Sequence, residues 1–195
     1  MVGEGPLRAT EPLGNVNDPA VVIALERRLG GAFEIDPVDF EWAEVRGRTH
    51  RKRSVAGREL EVSLTAEAAA RGLADGDALA CAPAPPHGRP AVIAVRLRSV
   101  DALLIGVDPG DALLTARVAW EVGNMHAPLF RGRCPGELIA PASAPLERLL
   151  APIPGVSLDR AEVRLDPADR LSGNGISVVV RLAPDLKLTV RRTGA

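Results

Sequence analysis

The chain has 195 residues, 24 Lys+Arg against 25 Asp+Glu, and a formal net charge of −1 at pH 7. That length accommodates one large domain or two small ones, and a charge so near zero argues against a dedicated nucleic-acid binder or a membrane-surface protein. Tyrosine is absent and Phe33, Phe40, Phe130, Trp42 and Trp120 are the only large aromatics, so cores must be built from Leu, Val, Ile and Ala, while 19 Gly and 17 Pro favour short strands and many turns.

In chain order, Asp18 and Pro19 suit a cap and first helical position, yet residues 18–29 fit either a short helix or a strand through 20–25. Residues 40–62 alternate apolar and polar, broken by Gly47 and Ala56-Gly57, which predicts strands and hairpins. LEVSL (60–64) has the period of a half-buried strand, and GLADGDALA (72–80) carries an Asp-Gly turn. The first ~80 residues therefore read as a small, mainly β unit. APAPPHGRP (82–90) reads as a loop or linker near a domain boundary, and AVIAVRLR (91–98) as a strand that either unit might own.

The rhythm then changes. VDALLIGV (100–107) is a buried strand, and Pro109 and Asp111 open a helix in which Leu113, Ala116, Ala119 and Trp120 recur at helical spacing. Gly123 and Asn124 are its stop signals. Short strands follow at 127–130 and 137–141, a helix at 144–153 closed by Pro154-Gly155, and a strand at 161–165. This order, β-α-β-β-α-β, is the ferredoxin-like arrangement. The predicted class is α+β: a β-rich unit over 1–90, a ferredoxin-like unit over 91–168, and an extension over 169–195 that alternates as two strands around Ala183-Pro184-Asp185.

Motifs for phosphate-binding loops, GxSxG hydrolases and HExxH metalloproteases are missing. RGRTHRKR (46–53) holds five basic residues without a stacking aromatic, so a charged strand edge is a better reading than a nucleic-acid site. Cys81 and Cys134 have neither disulfide-framework nor zinc-finger spacing. A nucleophile pair of Cys134 with His126 lacks an orienting acid. The opening MVGEGPLRATEPLG has no apolar signal-peptide core, and no apolar run approaches the ~20 residues of a membrane span, so a cytoplasmic location with reduced thiols is expected. His126 follows the helix stop and precedes a strand, which places it on a short outward loop. Alone it reads as a helix-end cation. One imidazole is a poor metal site, and it becomes a site only if a two-fold axis supplies a second copy.

DPGDALLTARVAWEVGNMHAPLF (108–130) resembles the signature of the UreE family of urease accessory proteins, in which an Ala/Leu-rich helix ends in Gly-Asn-x-His before a small residue, Pro and an apolar residue. HRKRSVAGRELEVSLTAEAAARGLADGDALA (50–80) resembles the family's first domain, and RATEPLGNVNDPA (8–20) its opening more loosely, so the likeness covers roughly residues 8–166 in order. The resemblance implies a peptide-binding-like N-terminal domain, a metal-binding C-terminal domain, and a homodimer whose two His126 side chains hold one Ni2+ at the two-fold axis. It implies a nickel metallochaperone rather than an enzyme. Its partners would be apo-urease and a UreG-type GTPase, with no nucleic acid and no membrane. Zn2+ or Cu2+ would substitute for the cargo, since imidazole suits several divalent metals. Many members end in a histidine-rich tail, but here no histidine follows His126, so a low metal capacity is expected. No spacing argument assigns His50, His87 or Cys134 as further ligands. Two competing classes are a protein-interaction module with incidental metal binding and a small hydrolase or transferase using Cys134 with His126.

Overall fold

A computed structural model describes residues 5–86 and 88–171. It is mixed α+β, with ten strands in three sheets and four helices among the described residues. The histidine at 87 and the two-stranded extension expected beyond residue 171 lie outside the described residues.

The first half contains β1 (Leu7–Ala9), α1 (Pro19–Leu29), β2 (Glu34–Phe40), β3 (Thr49–Arg53), β4 (Glu59–Ser63), α2 (Ala66–Arg71), β5 (Ala78–Ala82) and β6 (Ala91–Leu97). The strands form two three-stranded sheets, ordered β1-β4-β3 and β2-β6-β5. Period-two alternation directs Leu60 and Val62 of β4, Val38 and Phe40 of β2, and Ile93, Val95 and Leu97 of β6 into one core. The opposite face of the second sheet presents Ala78 and Val92 to Leu25 of α1. The ambiguous segment 18–29 is thus a helix. The Asp18 carboxylate accepts from the Ala20 N–H, Pro19 takes the first turn, and Gly30 closes it with φ 78°. Helix α2 was not evident in a segment read as β, because its six residues are too short to show a period.

Strand β6 corrects one expectation. It pairs in parallel with β2 and antiparallel with β5, so residue 91 continues the first half's sheet rather than opening the second half. Its near-continuous burial follows from being the central strand, covered on both faces.

The second half runs β7 (Val100–Gly106), α3 (Ala112–Asn124), β8 (Phe130–Arg131), β9 (Glu137–Pro141), α4 (Ala144–Leu150) and β10 (Ser157–Val163), ending in a 3-10 turn at Pro167–Asp169. Its four strands form one sheet in the order β10-β7-β9-β8, with the neighbours antiparallel. Strand β8 is shorter than the predicted 127–130, and β10 lies earlier than the predicted 161–165. One face of this sheet, through Leu103, Ile105 and Leu138, buries Val118 and Val122 of α3 and Leu146 and Leu150 of α4. The other face, through Ala102, Phe130 and Ile139, meets Leu165 and Trp42 of the connecting segments. Trp42 and Phe130 pack edge to face with centroids 6.1 Å apart, and Arg164 pairs with Asp75 at 3.0 Å. These contacts join the halves.

Candidate metal centre

Helix α3 positions His126. The Asp111 carboxylate caps its N-terminus by accepting from the Leu114 N–H at 2.9 Å. Its inward stripe is Leu114, Val118, Ala119 and Val122. Of the positions noted at helical spacing, Leu113, Ala116 and Trp120 share the opposite face, and Leu113 is 85% and Trp120 68% exposed. Both stripes have helical spacing, so periodicity alone could not say which faces the sheet.

The helix continues through Gly123 and Asn124, which are therefore not its stop. The closure falls just after them, on Met125 and His126. The His126 N–H donates to the Gly123 carbonyl at 2.9 Å, and the Ala127 N–H donates to the Val122 carbonyl at 3.2 Å. These two bonds make a Schellman closure, with Met125 as the cap and His126 at the position that adopts left-handed backbone. His126 has φ 53° and is the only non-glycine residue with positive φ among those described. Ala127 and Val122 belong to the same apolar cluster, supplying the contact that accompanies such closures. Pro128 then prevents helical continuation.

Glycine is the usual occupant of that position because a Cβ there costs about 1–2 kcal/mol. A histidine held in left-handed backbone at an exposed helix end carries a local conformational cost. His126 is exposed, and Met125 beside it is 42% exposed. An imidazole so placed is accessible from solvent. A single copy presents one ligand: among the described residues, no three His, Cys, Asp or Glu side chains gather around a common point.

The other histidine and cysteine candidates are placed elsewhere. His50 is half-buried. Its Nε2 hydrogen-bonds the Gly47 carbonyl at 2.8 Å, and its ring packs edge to face on Phe40 at 5.2 Å. A Cβ on Gly47 would lie 2.6 Å from that ring, so the glycine makes room for it. Cys134 is exposed in the turn before β9, where its N–H points to the Glu137 carboxylate at 3.4 Å. Cys81 is half-buried against the α1 cluster, and burial pushes its thiol up, away from the reactive thiolate. Three of the five cations of the basic run are paired: Arg51 with Glu61 of β4 at 3.3 Å, Arg53 with Glu59 of β4 at 2.8 Å, and Lys52 with Glu44 of the segment before β3.

No family model matches the chain. Comparison with curated proteins is informative. Over 163 residues, 82% of this chain and 90% of its match, it is 29% identical to the urease accessory protein UreE of Helicobacter pylori (strain Shi470). The corresponding protein of Helicobacter acinonychis (strain Sheeba) is 28% identical over the same shares. That of Helicobacter bizzozeronii is 29% identical over 143 residues, 73% of this chain and 76% of its own length. The chain is thus similar to UreE proteins over most of its length. The resemblance carried by residues 108–130 and 50–80 extends through both halves.

Sequence reasoning missed the bare apolar face beside His126. The signal was present in Leu113, Ala116 and Trp120 at i, i+3 and i+7, but helical spacing does not say whether such a face is covered.

Proposed function

We propose that the chain is a nickel metallochaperone of urease maturation, not an enzyme, acting in the cytoplasm as a homodimer. Residues up to about 98 form its β-rich, peptide-binding-like domain. The following residues to 168 form its ferredoxin-like metal-binding domain, and the element order β-α-β-β-α-β with an antiparallel sheet supports that assignment. The observation that carries the reading is His126 in left-handed backbone at the exposed end of α3, on a chain related to UreE.

The uncovered face of α3 supplies the second ligand. Leu113, Ala116 and Trp120 form an apolar stripe that a second copy would cover. A two-fold axis near this stripe brings two His126 rings together, and one Ni2+ is shared between them. Two imidazoles leave the remaining coordination positions to water or to a partner's donors. Such an open sphere permits handover to apo-urease through a UreG-type GTPase. The rings bind as neutral imidazole, so affinity falls as pH falls and protons compete. Imidazole donors also rank Cu2+ above Ni2+, so Zn2+ and Cu2+ compete for the site and availability decides the cargo.

Calorimetric nickel titration of wild type and His126→Ala, with light scattering on both, tests this. The expected result is one ion per dimer in wild type and none bound tightly by the variant, with the dimer retained. Equal binding by the variant would sink the ligand assignment. A wild-type dimer that binds no nickel would leave an interaction module in its place.

A further inference from the structure

Beyond Met1, the sequence contains a single methionine, Met125. It directly precedes His126 and caps the C-terminus of α3, its N–H donating to the Glu121 carbonyl at 3.3 Å. Methionine is an adaptable filler of irregular cores, but this one does no such work. The apolar cluster beneath α3 takes in Leu114, Val118, Ala119, Val122 and Ala127 and leaves Met125 out. Met125 and His126 are both exposed, so a thioether and an imidazole stand on consecutive residues at one helix end.

The backbone holds both residues in place. Met125 has φ −78° and ψ 0°, His126 has φ 53°, and the bonds from His126 to Gly123 and from Ala127 to Val122 close the turn around them. Consecutive Cα atoms lie about 3.8 Å apart, and a methionine side chain turns about three bonds. One ion can therefore take a nitrogen and a sulfur from the same chain. The two donors differ in kind. Imidazole suits Ni2+, Cu2+ and Zn2+, whereas thioether sulfur is soft and selects Cu(I). Among the described residues, no cluster of three His, Cys, Asp or Glu side chains offers a competing cage.

We propose that Met125 is a second ligand at this centre and makes it a site for Cu(I) as well as for nickel. The inference rests on the two-fold reading of His126: one chain supplies two donors, and two chains supply two nitrogens and two sulfurs. Ni2+ uses the imidazoles alone. Cu(I) draws on the thioethers too, and while it is held the imidazoles are closed to nickel. Copper arrives and leaves as Cu(I), so no electron transfer is involved.

The test is anaerobic competition for Cu(I) against bicinchoninate, run beside nickel calorimetry. The full chain carries Cys81→Ala and Cys134→Ser throughout, so that neither thiol binds the copper. This background should take up one Cu(I) per dimer, and Cu(I) loaded first should block nickel. Met125→Leu keeps an apolar side chain of similar volume. It should weaken Cu(I) by roughly tenfold or more, since even partners outside the ligand shell matter at that scale, while nickel affinity and the dimer stay unchanged. His126→Ala should lose both metals. Unaltered Cu(I) affinity in Met125→Leu, with nickel still lost in His126→Ala, would overturn the thioether ligand and leave the nickel reading standing. Equal weakening of both metals by Met125→Leu would also overturn it, because Met125 would then only support the turn. Nickel retained by His126→Ala would instead sink the two-fold reading, and the Cu(I) site with it.

Discussion

His126 occupies a backbone position where glycine is most comfortable. His126→Gly should therefore leave stability unchanged or raise it by up to about 1 kcal/mol while abolishing tight nickel binding. Thermal unfolding and calorimetry on the same sample read the two effects. A clear loss of stability would mean that the ring is packed for structure. Asp36 is the opposite kind of residue. It is buried and accepts from the Ser54 hydroxyl at 2.6 Å, the Ala56 N–H at 2.9 Å and the Arg58 guanidinium at 2.6 Å. Burial pushes its carboxyl up, but these three donors outweigh burial and hold it below the usual carboxylate range. The unfolded chain therefore takes up this proton first as pH falls. The stabilisation is complete above about pH 4 and is lost as pH drops through the lower folded value. Asp36→Asn should cost about 1–3 kcal/mol at pH 7, with the difference from wild type shrinking below pH 4 in acid-unfolding curves.

Among the elements, α3 carries the proposed dimer face. Its inner stripe buries Val118 and Val122 fully, while Leu113 and Trp120 face away from the sheet. Substituting the outer pair, Leu113→Glu with Trp120→Glu, should leave the fold intact and yield monomers by light scattering. Those monomers should also lose the shared nickel ion, although His126 is untouched. A dimer that survives the double substitution would place the two-fold axis elsewhere. The existence of α3 was legible from Asp111 and the helical spacing that follows it. Its orientation was not, because two apolar stripes run along it and only the competing sheet chooses between them. The end of α3 misled for a related reason. Gly123 looks like a stop, yet a Cβ there would meet nothing within 4 Å, and the helix passes through it to close on His126.

For the molecule as a whole, the two halves are joined by the Trp42–Phe130 packing and the Asp75–Arg164 pair. Wild type should unfold in a single calorimetric transition. Trp42→Ala should weaken the junction and separate it into two; a single unshifted transition in the variant would show that other contacts carry the coupling. No helix among the described residues is long and apolar enough to cross a membrane.

Local order was written in the chain. Asp18-Pro19, Asp111 and Ser143 each begin a helix where the cap chemistry requires one. The alternation through 60–64 marks a half-buried strand, because such a pleat imposes a period of two, and the apolar run at 100–107 marks a buried one. The ordered signature around His126 pointed to a relationship that the UreE relatives bear out. Long-range pairing settled the remainder. Strand β6 joined the first sheet because β2 and β5 offered it two edges, although the proline-rich connector before it suggested a boundary. Arg46 and Arg170, 124 positions apart in number, meet only because the 3-10 turn folds back on the first half. Spacing along a chain records what neighbours need from one another, whereas the choice of partner across the molecule depends on which surfaces remain to be buried.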